Sequence, residues 1–443
     1  MTTTLRVSDP QELLALIPYQ LGFVPQESLA VVSLQGAHQR VGLMARCELT
    51  ELATDHGARL AGTLVNHCLT DNANKLVLVF FCDQGQTGAV QDQVSRAVKL
   101  FRAVAKDRVE IDSIWIVGPQ TYYSWFSVTK EQCDPHCGNQ CAIDCADPCL
   151  YECYFHLSDG RVRERPVSDF QGTEISAHMV VNGLSYRKSR AELGKIVPAS
   201  KAEREKTAAS FRRHEYRQFS NRVLDGRRKW ELETLERWTQ MLEALGYQAH
   251  TQAGCRGNNC AVDPDPGLVD LRGQVTATQY GKIASGLKNR RVRDAILLSM
   301  TPGGAPVAAK FLYSDLDRCM CGPDGSAVCI NCSHPVTDPT GESLVNDALA
   351  LIVSPARGIV PTTCQLEIVT ALLTDLIAHT RTVHCAAPYA LLTLAYWWRG
   401  NGAAASRFNE EALKIEPNYR LAALLESVLD AGLAPGWARR VNR

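Results

Sequence analysis

The chain has 443 residues, carries 47 basic and 47 acidic side chains, and contains 17 cysteines. Its composition, 45% hydrophobic and 21% charged, excludes wholesale disorder, and its length predicts two or three domains at roughly 100–200 residues each. The longest uninterrupted apolar stretch, Leu76 to Cys82, falls far short of the roughly 18–20 residues of a membrane-spanning helix, so no membrane contact is expected.

In chain order, Ser8-Asp9-Pro10-Gln11 predicts a capped helix running through Leu13, Leu14, Leu16 and Ile17 and ended by Gly22 and Pro25. Leu29–Leu34 and Val41–Cys47 read as a β-hairpin joined at Gln35-Gly36-Ala37-His38, and a helix is expected at about 53–68. Leu76–Phe81 is apolar on both faces, as in a buried strand. Val90, Val94, Val98 and Phe101 then stripe a helix, and Ile111, Ile114, Ile116 and Val117 supply the next strand. This alternation predicts an N-terminal α/β domain over 1–130, with a mostly parallel sheet and flanking helices.

The pattern breaks in a cysteine-rich insertion, 131–160. A basic, mainly helical region over 161–310, a cysteine-bearing loop over 311–335 and a helical region over 336–443 follow. Tyr186–Lys229 holds 14 Lys/Arg against 5 Asp/Glu, so the neutral total conceals a basic segment and an acidic remainder.

The first residues, Met1 to Arg6, lack the basic and apolar segments of a secretory signal, so a cytoplasmic location is expected. In a reducing compartment, clustered cysteines point to metal rather than disulfides. Cys319-Met320-Cys321 and Cys329-Ile330-Asn331-Cys332 bracket a turn-rich tip, the arrangement by which four thiolates enclose a structural zinc ion. Free reduced thiols are the alternative.

Cys133, Cys137, Cys141, Cys145, Cys149 and Cys153 recur at a strict interval of four. On an ideal helix they would sweep about 200° and could not face one metal. Pro135, Gly138 and Pro148 favour a folded-back loop binding zinc, with a redox role or a tract without a site as alternatives. Cys47, Cys68 and Cys82 read as small core residues.

Arg212, Arg213 and Arg217, with Arg227, Arg228 and Lys229, interleave with Phe211, Tyr216, Phe219 and Trp230. Such a stretch suits contact with nucleic acid. The same spacing also suits an amphipathic helix burying its aromatics beneath long basic side chains. Nucleotide-binding P-loop, dinucleotide, serine-hydrolase and zincin signatures do not occur. His384-Cys385 does not imply a catalytic dyad, because neighbouring residues on a helix point in different directions.

Near the C-terminus, Trp397-Trp398-Arg399-Gly400-Asn401-Gly402, then Ala403–Ala405, Phe408, Ala412 and Pro417, resemble a tetratricopeptide hairpin that could receive a protein partner. The ordinary helical hairpin of a larger bundle is the equal alternative.

The opening Leu5–Pro10, Leu13–Pro25 and Ser28–Val32, the internal Arg291–Ala295, and the closing Trp397–Gly402 through Tyr419–Ala422 resemble the actinobacterial family called domain of unknown function 4192. The resemblance spans most of the chain and implies a soluble protein with no assigned activity, hence no catalytic residues to carry over. The six-cysteine tract departs from the family's shorter loop. Taken together, the expectation is a non-enzymatic binding or scaffold protein with structural zinc. An α/β enzyme acting on nucleic acid or a nucleotide, or a thiol-based redox or metal sensor, are the alternatives.

Overall fold

The computed structural model describes residues 9–83, 88–125, 164–181, 186–220, 224–246, 274–313 and 339–439. The chain divides into two compact units, residues 1–192 and 193–443.

In the first unit, α1 (Pro10–Leu21) starts with proline in its first turn, and Gly22 ends it in the left-handed region at φ 81°. Its N-cap is Asp9, which makes no side-chain cap bond; Ser8, the expected cap, lies outside the described residues. The hairpin forms as read, β1 (Ser28–Gln35) against β2 (Arg40–Glu48). A single turn, α2 (Leu49–Leu52), leads to α3 (Gly57–Thr70), β3 (Ala73–Phe81), α4 (Gly88–Ala105) and β4 (Glu110–Val117). β5 (Thr121–Ser124) and β6 (Arg165–Pro166) complete a six-stranded sheet in the order β2-β1-β3-β4-β5-β6.

The sheet is mixed, not mostly parallel. Only β3 and β4 pair in parallel; the other four adjacent pairs are antiparallel. The reason lies in the hairpin. β2 and β3 share a direction, as a strand–helix–strand crossover requires, but β1 occupies the place between them and pairs antiparallel with both.

Both faces of the sheet are covered. Leu29, Val31, Leu76, Leu78, Phe80, Ile114 and Ile116 pack under Ala61, Val65, Val94, Val98 and Phe101 of α3 and α4. The alternate residues Ala30, Val32, Val77 and Val79 are buried as well. At the β1–β2 irregularity, Asp71 Oδ2 accepts from Ser33 Oγ at 2.7 Å and from the Leu43 N–H at 2.5 Å. A carboxylate thus satisfies the amide that the bulge removes from the ladder. After β6 the chain forms α5 (Glu174–Val181), whose Ile175 and Met179 pack on Leu16 of α1.

α6 (Arg190–Leu193) is a single turn at the boundary. The second unit is all-helical among the described residues: α7 (Lys201–Ser220), α8 (Leu224–Ala244), α9 (Ala277–Gly286), α10 (Arg290–Ser299), α11 (Gly304–Tyr313), α12 (Pro339–Val353), α13 (Thr363–His379), α14 (Ala386–Trp398), α15 (Gly402–Ile415) and α16 (Arg420–Asp430). One core joins them, from Phe211, Trp230 and Trp238 through Leu312, Ile352 and Leu372 to Trp398 and Phe408. No described helix is long and apolar enough to cross a membrane.

Candidate anion-binding surface

α7 places Thr207, Ser210, Phe211 and His214 on one buried face, the i, i+3, i+4, i+7 rhythm of a packed helix. That face lies against α9. Thr207 Oγ1 donates to Ala277 O at 3.1 Å and Ser210 Oγ to Thr278 O at 2.8 Å, while Gly281 lets the two backbones approach. Trp230 of α8 closes the other side, its Nε1 donating to His214 O at 3.0 Å and its ring stacked on the imidazole at 4.9 Å.

The aromatics of the basic stretch therefore belong in part to the core: Phe211 and Trp230 are buried, and Tyr216 is exposed. Arg212, Arg213 and Arg217 are exposed on α7, and Arg227 and Lys229 on α8, with Arg228 half-buried. They are not equivalent. Arg227 pairs with the buried Glu231 at 3.5 Å, and Glu231 also receives Asn289 Nδ2 at 2.9 Å and Arg291 Nε at 3.3 Å. A buried carboxylate needs such partners, so Arg227 and Arg291 act within the fold.

Arg213 and Arg217, one helical turn apart, instead gather with Lys282 of α9 and Arg237 of α8. Burial, then Arg237, Lys282 and Arg217, push the His214 pKa down to about 4. His214 is thus neutral at pH 7, its Nε2 3.0 Å from Thr234 Oγ1. Burial, then Arg237, Arg217 and Arg213, also lower the Lys282 pKa, with Glu233 the one opposing carboxylate. The Arg237 Nε is buried without a hydrogen-bond partner among the described residues. Arg213, Arg217, Arg237 and Lys282 thus make this side of the helical unit locally cationic. The sequence offered Arg213 and Arg217 but not Lys282 or Arg237, which come from distant segments.

The ten cysteines proposed as metal ligands, Cys133 to Cys153 and Cys319 to Cys332, lie outside the described residues. Among the described residues no three His, Cys, Asp or Glu side chains are grouped to hold a metal. Cys47, Cys68, Cys82 and Cys385 are buried, and burial pushes each thiol up to about 12, so they remain protonated and inert. Cys385 Sγ donates to Arg381 O at 3.3 Å.

Residues that carried the family resemblance serve packing. Trp398 Nε1 donates to Ile359 O at 3.2 Å, and Trp397 Nε1 to Leu433 O at 2.8 Å. Gly400 adopts φ 90° in the turn, and Asn401 Oδ1 caps α15 through the Ala404 N–H at 3.0 Å. Arg293 pairs with Asp294, and its guanidinium lies 5.6 Å from the centre of the Tyr419 ring.

An α/β sheet unit followed by a mostly helical unit bearing a cationic face defines this protein at the level of its class. The chain belongs to the family described as Domain of unknown function (DUF4192), which matches residues 10–333 and 333–436. No curated protein and no solved structure matches it.

Proposed function

We propose that the protein is a non-enzymatic binding or scaffold protein whose cysteine-bearing segments hold structural zinc. The observation that supports this most is the antiparallel pairing of Tyr122 with Arg165. Segment 126–163 leaves and rejoins the same sheet edge, so its ends are already held together. Closing a thiolate-rich segment on a metal then costs less chain entropy. Segment 314–338 joins α11 and α12, whose Leu312 and Ile352 belong to the same core. Four thiolates from Cys319, Cys321, Cys329 and Cys332 would leave zinc no open position, which suits a structural role. The α14–α15 hairpin, taken as tetratricopeptide-like, is the surface proposed for a protein partner.

Elemental analysis tests the proposal. Zinc is expected in protein purified under reducing conditions, falling when Cys319 and Cys321, or Cys133, Cys137 and Cys141, are replaced by Ser. Folded protein, as judged by circular dichroism, that carries near-zero metal would remove it.

A second reading, contact with nucleic acid through the helical unit, is favoured by the exposure of Arg212, Arg213 and Arg217 on one helix, with Lys282 close enough to feel Arg213 and Arg217. Retention on single-stranded nucleic acid that weakens with salt, and weakens further in the Arg213→Gln/Arg217→Gln double variant, would support it. No retention at low salt would sink it.

A further inference from the structure

On the flank of α7 opposite Arg213 and Arg217, at 100° per residue, the helical unit contains a separate recess of ≈ 210 Å³. α7 contributes Thr207, Ala208, Phe211, Arg212 and Glu215, and the turn after α13 contributes Thr380, Arg381 and His384. The turn is fixed in place. The His384 N–H donates to Arg381 O at 2.9 Å, Cys385 Sγ donates to the same carbonyl, and the His384 ring stacks on Phe211 with centroids 4.4 Å apart.

Three features specify what the recess would hold. Arg212 and Arg381 have no carboxylate partner among the described residues. The only acid in the lining, Glu215, is neutralised by Lys288, whose Nζ lies 2.5 Å from its Oε1 and 5.8 Å from the Phe211 ring centre. Thr380 is 7% exposed, and its buried Oγ1 has no hydrogen-bond partner among the described residues. A buried hydroxyl in that condition is destabilising unless something supplies the missing bond.

We propose that this recess binds a small organic oxyanion, with the charged group held by Arg212, Arg381 and the Thr380 hydroxyl and the apolar body against Ala208 and Phe211. Guanidinium groups grip planar or tetrahedral oxyanions through paired N–H donors, and the hydroxyl adds a third donor from a rigid backbone. Phosphoryl and carboxyl groups share this chemistry, and the probes below separate them. The site stands independently of the zinc proposal and of the cations on the opposite flank.

The test uses full-length protein with phenyl phosphate, benzoate and benzyl alcohol, followed by ligand-observed saturation-transfer NMR and calorimetry. Phenyl phosphate or benzoate is expected to bind and benzyl alcohol, which has a ring but no charge, is expected not to. The tighter of the two anions identifies the headgroup. Arg381→Gln should weaken binding by roughly tenfold or more. Thr380→Val, which keeps the side-chain shape and removes only an unpartnered hydroxyl, should also weaken it while the thermal midpoint of the ligand-free protein holds or rises; this variant decides the matter if Arg381→Gln fails to fold. Arg213→Gln/Arg217→Gln should leave binding unchanged. No transfer from either anion at about 10 mM would overturn the proposal. So would binding that survives both recess variants but is lost in the double variant, because the anion would then sit on the other flank.

Discussion

Glu12 of α1 caps Glu174, 162 residues downstream: its Oε1 accepts the Glu174 N–H at 3.0 Å, and Oε2 accepts the next amide, that of Ile175, at 3.0 Å. One carboxylate thus satisfies two of the orphan amides at the start of α5 and sits where the helix dipole favours negative charge. Glu12→Ala should destabilise the first unit by about 1–2 kcal/mol. Amide exchange at Glu174 and Ile175 should accelerate; protection equal to the parent would show that the cap contributes nothing.

The stability of the second unit should depend on pH through His214. Its folded pKa, about 4, lies below the ordinary value of 6.5. The unfolded chain therefore takes up a proton that the folded chain refuses as the pH falls below 6.5. Stability declines from there until about pH 4, where the folded form titrates too. His214→Phe keeps an aromatic ring against Trp230 but cannot titrate, and urea midpoints measured between pH 7 and 4 should fall less steeply in that variant. Parallel slopes would show that His214 is not responsible.

Arg213→Gln/Arg217→Gln removes two of the cations near His214 and Lys282. Both groups should then protonate more readily. Imidazole C–H shifts followed by NMR should report a His214 midpoint moved upward, and a midpoint that stays in place would mean that Arg213 and Arg217 do not contribute to holding it down.

Gly281→Ala should destabilise the helical unit by about 1–3 kcal/mol. The added methyl would collide with Thr207 O and lie 2.6 Å from Ser210 Cβ and 2.9 Å from the Phe211 backbone nitrogen. Gly402→Ala has nothing within 4 Å of the new methyl and serves as the control. Equal thermal midpoints for the two variants would argue against close α7–α9 packing.

Much of the first unit is legible in the sequence because each element carries its own period. Leu76–Phe81 announces a strand buried on both faces, Val90, Val94, Val98 and Phe101 a helix stripe, and Gly22 a helix end. Strand direction is not legible, since nothing in Leu29–Leu34 says that β1 will lie between β2 and β3. β6 is only two residues long and takes its partner from before the cysteine tract, so no local pattern reveals it.

The cationic surface is legible only in half. Arg212, Arg213 and Arg217 stand out in a basic run, yet residues from α8, α9 and the turn after α13 sort them onto two flanks. His214 hides within the run because its burial depends on Trp230 and Thr234, which lie beyond the end of α7. Thr380 gives no signal at all, since an unpartnered hydroxyl is a property of its surroundings rather than of its residue type.

The pairing of Tyr122 with Arg165 has a practical meaning for anyone reshaping this protein. A hairpin closed by its own strands tolerates wide variation in what joins them, because each doubling of a flexible loop adds only about 0.6 kcal/mol of closure cost. Exchange of residues 126–163 is therefore expected to leave the pairing of Tyr122 with Arg165 in place. A short turn, a purification epitope or a foreign peptide spliced between Trp125 and Glu164 would inherit a ready-made pair of anchors on the sheet.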